Sequence, residues 1–267
     1  MLDTRVDERD YKLLEKDKYT FFVLGRVMGG QCELLLTDHE KLIICFTCAP
    51  YPVWIWTPDE ASDADMERTY QIAVKHSLLS GEYHVNLKYD LANYFIKRAA
   101  ADGKRLSISL DMYAYDCHEL IKPTAADGFI HQCNDDDLEE LVDFLDLFHE
   151  ETGVDKTDRD SYRAHAKTYI DTGNMYFWSN TQGCHVASCK FAPNGNMASI
   201  NLVFTRPAFR RKHYAENLVY QVTKLAMDAG YIPMLYTDAN YIASNACYEK
   251  IGYILRGKLC TISEKEE

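Results

Sequence analysis

The sequence from residue 200 to residue 215, INLVFTRPAFRRKHYA, contains the pattern that decides the fold. Its first part, Asn201 to Thr205, is apolar and β-branched, which is typical of a strand, and Pro207 prevents that strand from continuing. Apolar residues recur at helical spacing from Tyr214 onward, as far as the stop signal at Gly230. A basic turn that leads into a helix N-terminus is an anion site, because free N–H groups and the positive end of the helix dipole point outward there. We therefore predict a strand, an anion-binding turn and a helix.

A second informative segment, SNACYEKIGY, runs from residue 244 to residue 253. The sequence IPMLYTD, from residue 232 to residue 238, has the composition of a strand and separates this segment from the first helix. Asn245 and Tyr248 are three residues apart, so they would lie on one face of a helix. The chain from residue 200 to residue 253 thus predicts strand, turn, helix, strand and helix.

These two segments resemble the acetyl-coenzyme A binding core of the GCN5-related N-acetyltransferase (GNAT) family. The family pattern of Arg or Gln, two variable residues, Gly, one variable residue and then Gly or Ala falls on Arg210 to Ala215. The family ending Asn-x-x-Tyr-Glu-Lys-x-Gly-Tyr falls on Asn245 to Tyr253. His213 occupies the place of the first glycine, where a side chain can crowd a diphosphate or impose a different backbone angle. The resemblance implies an acyl-CoA N-acyltransferase fold for the second half of the chain.

The resemblance also implies a role for each residue of the site. Backbone N–H groups from Arg211 to Ala215 would hold the coenzyme A diphosphate, with added positive charge from Arg210 and Lys212. Main-chain groups of the strand would pair with the pantetheine arm and Asn245 would hydrogen-bond to it, while Tyr248 would donate a proton to the departing sulfur. The predicted catalytic residue is Tyr248, and the predicted cofactor-binding residues are Leu202, Val203, Thr205, Arg210, Arg211, Lys212, His213, Tyr214, Ala215 and Asn245.

No general base is evident. The predicted strand Met197–Thr205 has no carboxylate, and Asp238, His185 and Glu151 are candidates by position only. A base that acts through water, or an amine that binds in its neutral form, would serve equally well. No metal is expected, because the acidic run from residue 135 to residue 137 is better explained as the cap of the helix that follows it.

Composition excludes several classes of protein. A length of 267 residues suggests about two domains, and 47% hydrophobic residues are enough for packed cores. A net charge of −12 argues against a nucleic-acid partner, which would require a broad basic surface. Neither an apolar run of about 18 residues nor the apolar core of a signal peptide is present, so no membrane partner is expected. Nine cysteines at scattered positions indicate reduced thiols and a cytoplasmic location rather than a disulfide framework.

The first half of the chain has strands and helices of its own. The linker-like segment from Lys122 to Gly128 divides the chain into predicted domains at residues 1–124 and 125–267. The order of elements in the first domain is similar to a degenerate copy of the same fold that lacks the basic turn, so no cofactor is expected there. We predict helices at Asp7–Lys18, Asp63–Leu79 and Leu87–Ala101, and strands at Tyr19–Val27, Cys32–Thr37, Lys41–Thr47, Val53–Trp56 and Leu106–Tyr115.

The second half predicts the order β-α-α-β-β-β-α-β-α-β, which is the order in the family that it resembles. The fold class is therefore α/β (α+β), with a mixed central sheet flanked by helices. The acidic segment from residue 150 to residue 160 lies where that family borders its acceptor site. It either attracts a cationic amine or is a solvated loop.

We therefore predict an N-acetyltransferase that transfers an acetyl group from acetyl-CoA to a primary amine of a small molecule or peptide. A non-catalytic acyl-CoA sensor is the alternative, prompted by His213 and by the lack of an evident base. A longer acyl donor is a third possibility, because the basic turn recognises only the coenzyme part. The sequence does not identify the acceptor or the oligomeric state.

Overall fold

The computed structural model describes residues 2–153 and 156–264. The chain divides into two compact units, each discontinuous in sequence. The first unit comprises residues 2–115, 236–241 and 255–264 of the described chain, and the second comprises residues 116–235 and 242–254. The domain boundary predicted between residues 124 and 125 remains a prediction.

Within its described residues, the first unit contains four α-helices and a mixed sheet. Three antiparallel strands are followed by a helix and a strand that pairs in parallel, and the sheet order is β1-β2-β3-β4-β11-β5. The elements are α1 (Glu8–Leu13), α2 (Phe22–Val27), β1 (Leu34–Thr37), β2 (Ile43–Phe46), β3 (Val53–Trp56), α3 (Asp63–Lys75), β4 (Val85–Leu87), α4 (Tyr89–Ala101), β5 (Leu106–Asp116) and β11 (Ile254–Glu264).

Both faces of this sheet are covered, which explains why β2 and β3 consist of buried residues throughout rather than alternating ones. Ile44 and Ile55 pack with side chains of α3 and α4 on one face. On the other face, Cys45 and Trp54 pack with side chains of the helical N-terminal segment, such as Phe21.

The second unit repeats the same order of pairings. Strands β6 to β9 are antiparallel, and β10 pairs with β9 in parallel after a helix. Helices α5 and α6 cover one face, where Phe177 and Phe204 join their core. The elements are β6 (Phe129–Gln132), α5 (Leu138–Thr152), α6 (Arg159–Asp171), β7 (Met175–Ser179), β8 (His185–Asn194), β9 (Met197–Thr205), α7 (Tyr214–Asp228), β10 (Ile232–Asp238) and α8 (Ile242–Lys250). This repetition supports the predicted degenerate copy, which stays a prediction.

Two predicted elements of the first half are wrong. The predicted strand Tyr19–Val27 is wrong, because most of this segment forms the helix α2. Phe21, Leu24 and Met28 are buried at helical spacing. The short strand β4 is absent from the prediction, and the helix placed at Leu87–Ala101 begins only at Tyr89. Short apolar runs are compatible with either structure, and tertiary packing decides between them.

No helix in residues 2–153 or 156–264 is long and apolar enough to cross a membrane.

Candidate active site

The strand that leads to the basic turn contains a β-bulge. Ala187 lies opposite Thr205 and Ser188 opposite Phe204, but Lys190 lies opposite Asn201, so two residues of β9 face one residue of β8. Leu202 has a φ of 52°, and its carbonyl accepts a hydrogen bond of 3.0 Å from Ser188 Oγ. A bulge bends a strand and redirects its backbone groups. It therefore changes the direction of β9 where the resemblance places the pantetheine arm.

The other edge of β9 is open beyond the bulge. The parallel ladder with β10 comprises Met197, Ala198 and Ser199 of β9 and ends there. Within the described residues, the ladder thus leaves the β10-facing edge of Asn201–Thr205 unpaired. Backbone N–H and C=O groups at an unpaired edge can bind an extended chain of amides as a further strand would.

The turn after β9 exposes a series of backbone amides. A 3-10 turn (Pro207–Phe209) is followed by Arg211 and His213, both with a φ of 61°, and α7 begins at Tyr214 without a side-chain cap. Among residues 2–153 and 156–264, the amides from Arg211 to Glu216 find no hydrogen-bond acceptor. Left-handed residues at a helix start direct successive N–H groups toward one point, which is the geometry of an anion site.

His213 has a left-handed backbone with φ of 61° and ψ of 11°, a conformation that histidine adopts more readily than most residues. Its Nδ1 lies 2.8 Å from Glu216 Oε2, and Lys250 Nζ lies 3.1 Å from Glu216 Oε1. Burial alone would raise the pKa of Glu216, but His213 and Lys250 lower it. The imidazole is therefore held against the first turn of α7, on a left-handed backbone of the kind that glycine favours.

The three basic side chains of the turn differ in what they contact. Arg210 is paired with Glu151, and its Nε donates to the carbonyl of Thr205 at 3.1 Å. Lys212 Nζ lies 5.5 Å from the ring centroid of Phe209, and Arg211 is exposed. Neither Lys212 nor Arg211 has a carboxylate partner within the described residues. These two side chains, rather than Arg210, are the available positive charges.

Helix α8 carries Asn245 and Tyr248, both 7% exposed. The ring of Tyr248 packs edge-on against Tyr253 at 5.9 Å between centroids. Burial, followed by the nearby thiols Cys247 and Cys189, raises the pKa of Tyr248 well above its ordinary value. The hydroxyl therefore keeps its proton at neutral pH, as a proton donor must.

The hydroxyl of Thr205 is a further candidate contact for the arm. Its Oγ1 is buried and has no hydrogen-bond partner within residues 2–153 and 156–264. An unsatisfied buried hydroxyl costs roughly 1–3 kcal/mol. A polar ligand group along β9 would remove that cost.

The candidate bases all have other partners. His185 Nδ1 lies 2.9 Å from Glu140, Glu151 pairs with Arg210, and Asp238 accepts from the Asn240 amide at 2.8 Å. Parts of the acidic segment before α6 are also occupied, since Asp158 caps that helix. Residues 154 and 155 of the segment lie outside the described residues.

Lys190, beside the bulge, is a candidate that sequence reasoning missed. Its Nζ lies 3.5 Å from the ring centroid of Tyr169, and burial lowers its pKa to about 8. The only sequence signal is a single lysine within the strand HVASCKFA. A lysine with such a pKa is half deprotonated near pH 8, so its neutral fraction can act as a general base.

Comparisons with known proteins agree with this fold. Residues 139–253 match the sequence profile described as the Acetyltransferase (GNAT) family. A GNAT-family acetyltransferase from Colwellia psychrerythraea is 13% identical, covers 100% of both chains and superimposes with a TM-score of 0.61. A GCN5-related N-acetyltransferase from Sphaerobacter thermophilus is 12% identical over 98% of this chain and 95% of its own, with a TM-score of 0.66. A GCN5-related N-acetyltransferase from Kribbella flavida is 13% identical over 94% of this chain and 96% of its own, with a TM-score of 0.60. No curated protein matches this chain in sequence. The predicted fold class is confirmed.

Proposed function

We propose, on the premise that residues 139–253 form an acetyltransferase domain of the GNAT family, that the chain transfers an acetyl group from acetyl-CoA to a primary amine of a small molecule or peptide. The observation that carries this proposal is the uncapped start of α7, where the amides from Arg211 to Glu216 are available directly after a bulged strand. Such a helix start is suited to a diphosphate.

The backbone of the turn would bind the diphosphate, and the exposed side chains of Arg211 and Lys212 would add positive charge. The imidazole of His213 is held by Glu216 and so leaves the amides accessible. This arrangement combines hydrogen-bond donors, the helix dipole and two cations in an otherwise acidic protein.

The open edge of β9 would bind the pantetheine arm. Main-chain groups of Leu202, Val203 and Thr205 would pair with its amides, and the Thr205 hydroxyl and Asn245 would supply further hydrogen bonds. An N–H group near the bulge would also hold the thioester oxygen, where negative charge develops during acyl transfer. Alignment of the thioester and amine would contribute much of the rate enhancement.

Tyr248 would protonate the departing thiolate. Its raised pKa keeps the hydroxyl protonated until the sulfur needs the proton. Lys190 is our candidate for the group that removes a proton from the amine, because its pKa of about 8 lies near neutral pH.

A non-catalytic acyl-CoA sensor is the second candidate function. It is favoured by the composition of Met197–Thr205, which has no carboxylate to serve as a base on β9. A sensor would bind acetyl-CoA without releasing free coenzyme A when amines are added.

Two measurements test these proposals. Calorimetry with acetyl-CoA should show binding that weakens in Lys212→Ala but not in the matched control Lys224→Ala, which removes an exposed lysine farther along α7. No binding by the intact chain would reject both functions. Thiol release with a panel of polyamines, aminoglycosides and amino acids then separates enzyme from sensor. A preference for anionic acceptors would exclude the role of the acidic segment before α6 in attracting cations.

A further inference from the structure

Two histidines and two carboxylates meet at one end of the second unit, around the candidate base His185. His131 lies on β6, His185 is the first residue of β8, Asp137 ends the 3-10 turn before α5, and Glu140 lies in the first turn of α5. The two imidazole rings are stacked, with centroids 4.8 Å apart and planes 21° from parallel. The ring of His131 contacts Asp137, and the ring of His185 lies near both Asp137 and Glu140.

The potential ligand atoms are close together. His131 Nε2 lies 2.8 Å from Asp137 Oδ2, and His185 Nδ1 lies 2.9 Å from Glu140 Oε2 and 4.0 Å from Asp137 Oδ1. The ligand atoms of His131, Asp137 and His185 all lie within 4.8 Å of one another. A tetrahedral zinc ion with ligands at about 2.0–2.2 Å separates neighbouring ligand atoms by about 3.3 Å. The observed separations of 2.8, 2.9 and 4.0 Å lie on both sides of that value.

We propose that His131, Asp137 and His185 bind one zinc ion and that Glu140, which contacts His185, moves in as the fourth ligand. Two imidazole nitrogens with two carboxylate oxygens are ligands that zinc accepts, whereas calcium and magnesium prefer oxygen alone. The site was not predicted from the sequence because its histidines are far apart along the chain and match no metal motif.

The carboxylates are held in place by contacts that metal binding need not break. The amide of Asn134 donates to Asp137 Oδ2 at 2.8 Å. Glu140 directs Oε1 to Arg206 at 2.9 Å and Oε2 to His185, so a metal on Oε2 leaves the ion pair with Arg206 intact. Hydrogen bonds that orient the ligands of a metal raise its affinity.

The site is sheltered but accessible. The side chains of Asp137, His185 and His131 are 10%, 15% and 28% exposed. An ion can therefore reach the imidazoles from solvent, while partial burial strengthens its attraction to the carboxylates.

A cluster in the first unit provides an internal contrast. There His39 is the only imidazole, and its two nitrogens face Asp10 at 2.8 Å and Asp3 at 3.4 Å. Asp7 is paired with Arg9, and Asp10 Oδ1 accepts from Thr37. This cluster offers zinc a single imidazole nitrogen in place of two, so we expect no zinc site at His39.

The decisive experiment is a zinc titration of the metal-stripped full chain by calorimetry. We expect one equivalent of zinc with micromolar or tighter affinity. His185→Gln should weaken binding by at least about 100-fold, the upper range for loss of a partner that only orients a ligand. His131→Gln should do the same, whereas the matched control His39→Gln should bind as the wild type does. If either ligand variant does not fold, the other still tests the proposal.

Spectroscopy and stability provide independent readouts. Cobalt substituted at the site should give the visible absorption of tetrahedral nitrogen and oxygen coordination, without thiolate charge transfer. Zinc should raise the Tm of the wild type and of His39→Gln, but not that of His185→Gln, because only a folded state that binds zinc is stabilised.

Three results would overturn the proposal: millimolar affinity, equal affinity in the wild type and His185→Gln, or loss of binding in Cys184→Ser, which would assign the ion to an exposed thiol. The readouts are metal binding and stability, so their outcome does not depend on acetyl transfer.

Discussion

Each unit has a connection that leads from a strand to the helix before that strand's parallel partner. The two connections lie at equivalent places in the fold, but the helix starts that they form differ in charge and in capping. In each unit a strand pairs in parallel with the strand that follows the next helix: β3 with β4, and β9 with β10. The helix after β3 starts at Ser62, whose hydroxyl accepts from the Asp65 amide at 3.2 Å while Asp65 accepts from the Ser62 amide at 3.0 Å. The helix after β9 starts at His213 with no side-chain cap.

This difference shows how one architecture can keep or lose an anion site. A capping box uses the amides that a phosphate would need, and the carboxylates of Asp63 and Asp65 would repel it. Hydrogen bonds from Ser62 and from Lys41 lower the pKa of Asp65 to about 2, so its negative charge persists in mild acid. At α7, Arg211 and Lys212 have the opposite charge and the amides are available. The first unit therefore has a self-sufficient helix start, and the second has one that is completed by a ligand.

The largest effect should come from Tyr248→Phe, which removes the proposed proton donor from the second unit only. We expect kcat for acetyl transfer to fall by about 10-fold to 10⁴-fold, the range for lost acid catalysis. Steady-state kinetics with an acceptor from the panel measure it. The matched control is Tyr94→Phe on α4, which loses a hydroxyl that donates to Glu67 at 2.8 Å. An unchanged kcat in Tyr248→Phe would exclude the donor role.

A second difference concerns the sheets, since β8 contains Lys190 whereas β2 is entirely apolar. Burial lowers the pKa of Lys190 from 10.5 to about 8, so between these values the unfolded chain binds more protons and stability rises with pH. Lys190→Met removes this dependence. The stability advantage of Lys190→Met over the wild type should shrink by roughly 1–3 kcal/mol between pH 8 and pH 10.5.

Denaturant titrations at several pH values measure this difference in the free energy of unfolding between Lys190→Met and the wild type. Tyrosines and thiols that titrate in the same pH range contribute equally to the stability of both proteins, so their contribution cancels in this difference. If this difference stays constant between pH 8 and pH 10.5, folding does not lower the pKa of Lys190.

The electrostatic contrast can be reversed at α7 by Lys212→Glu, which introduces an acidic side chain beside the helix start as in α3. Affinity for acetyl-CoA should fall about 10-fold to 100-fold, equivalent to roughly 1.4–2.8 kcal/mol. Calorimetry gives this value directly. Asp63→Lys makes the converse change at α3 and should leave affinity unaltered; a gain in affinity there, equal in size to the loss in Lys212→Glu, would indicate a general charge effect.

The smallest effect should come from Ser62→Ala, which removes the cap of α3. We expect a loss of about 1 kcal/mol in the free energy of unfolding, because the Asp65 amide loses its acceptor. Thermal or urea denaturation measures the loss, and acetyl-CoA affinity should not change. If stability is unaffected, the capping box is not what makes α3 self-sufficient.

Local patterns were sufficient for much of the second unit. The strand Met197–Thr205 has the bounds predicted from its apolar and β-branched residues. Helix α7 begins where the basic turn predicts. In the first unit the same kind of pattern failed at residues 19–27, because an apolar run next to short elements does not distinguish a strand from a helix.

Much of the candidate site depends on contacts that no local pattern specifies. The bulge opposite Cys189 is a matter of register between β8 and β9, and the pairing of Arg210 with Glu151 joins residues far apart in the chain. The meeting of His131 with His185 likewise depends on β6 and β8 both flanking β7.

By itself, the sequence determined which residues form the strand, the basic turn and the helix of the second unit, because strand propensity, proline and helical periodicity act over a few neighbouring residues. Only the tertiary structure decided which helix start remains open, which cations remain unpaired and which imidazoles meet. Those outcomes depend on hydrogen bonds and packing between segments that are distant along the chain, and the three-dimensional register of the strands sets them.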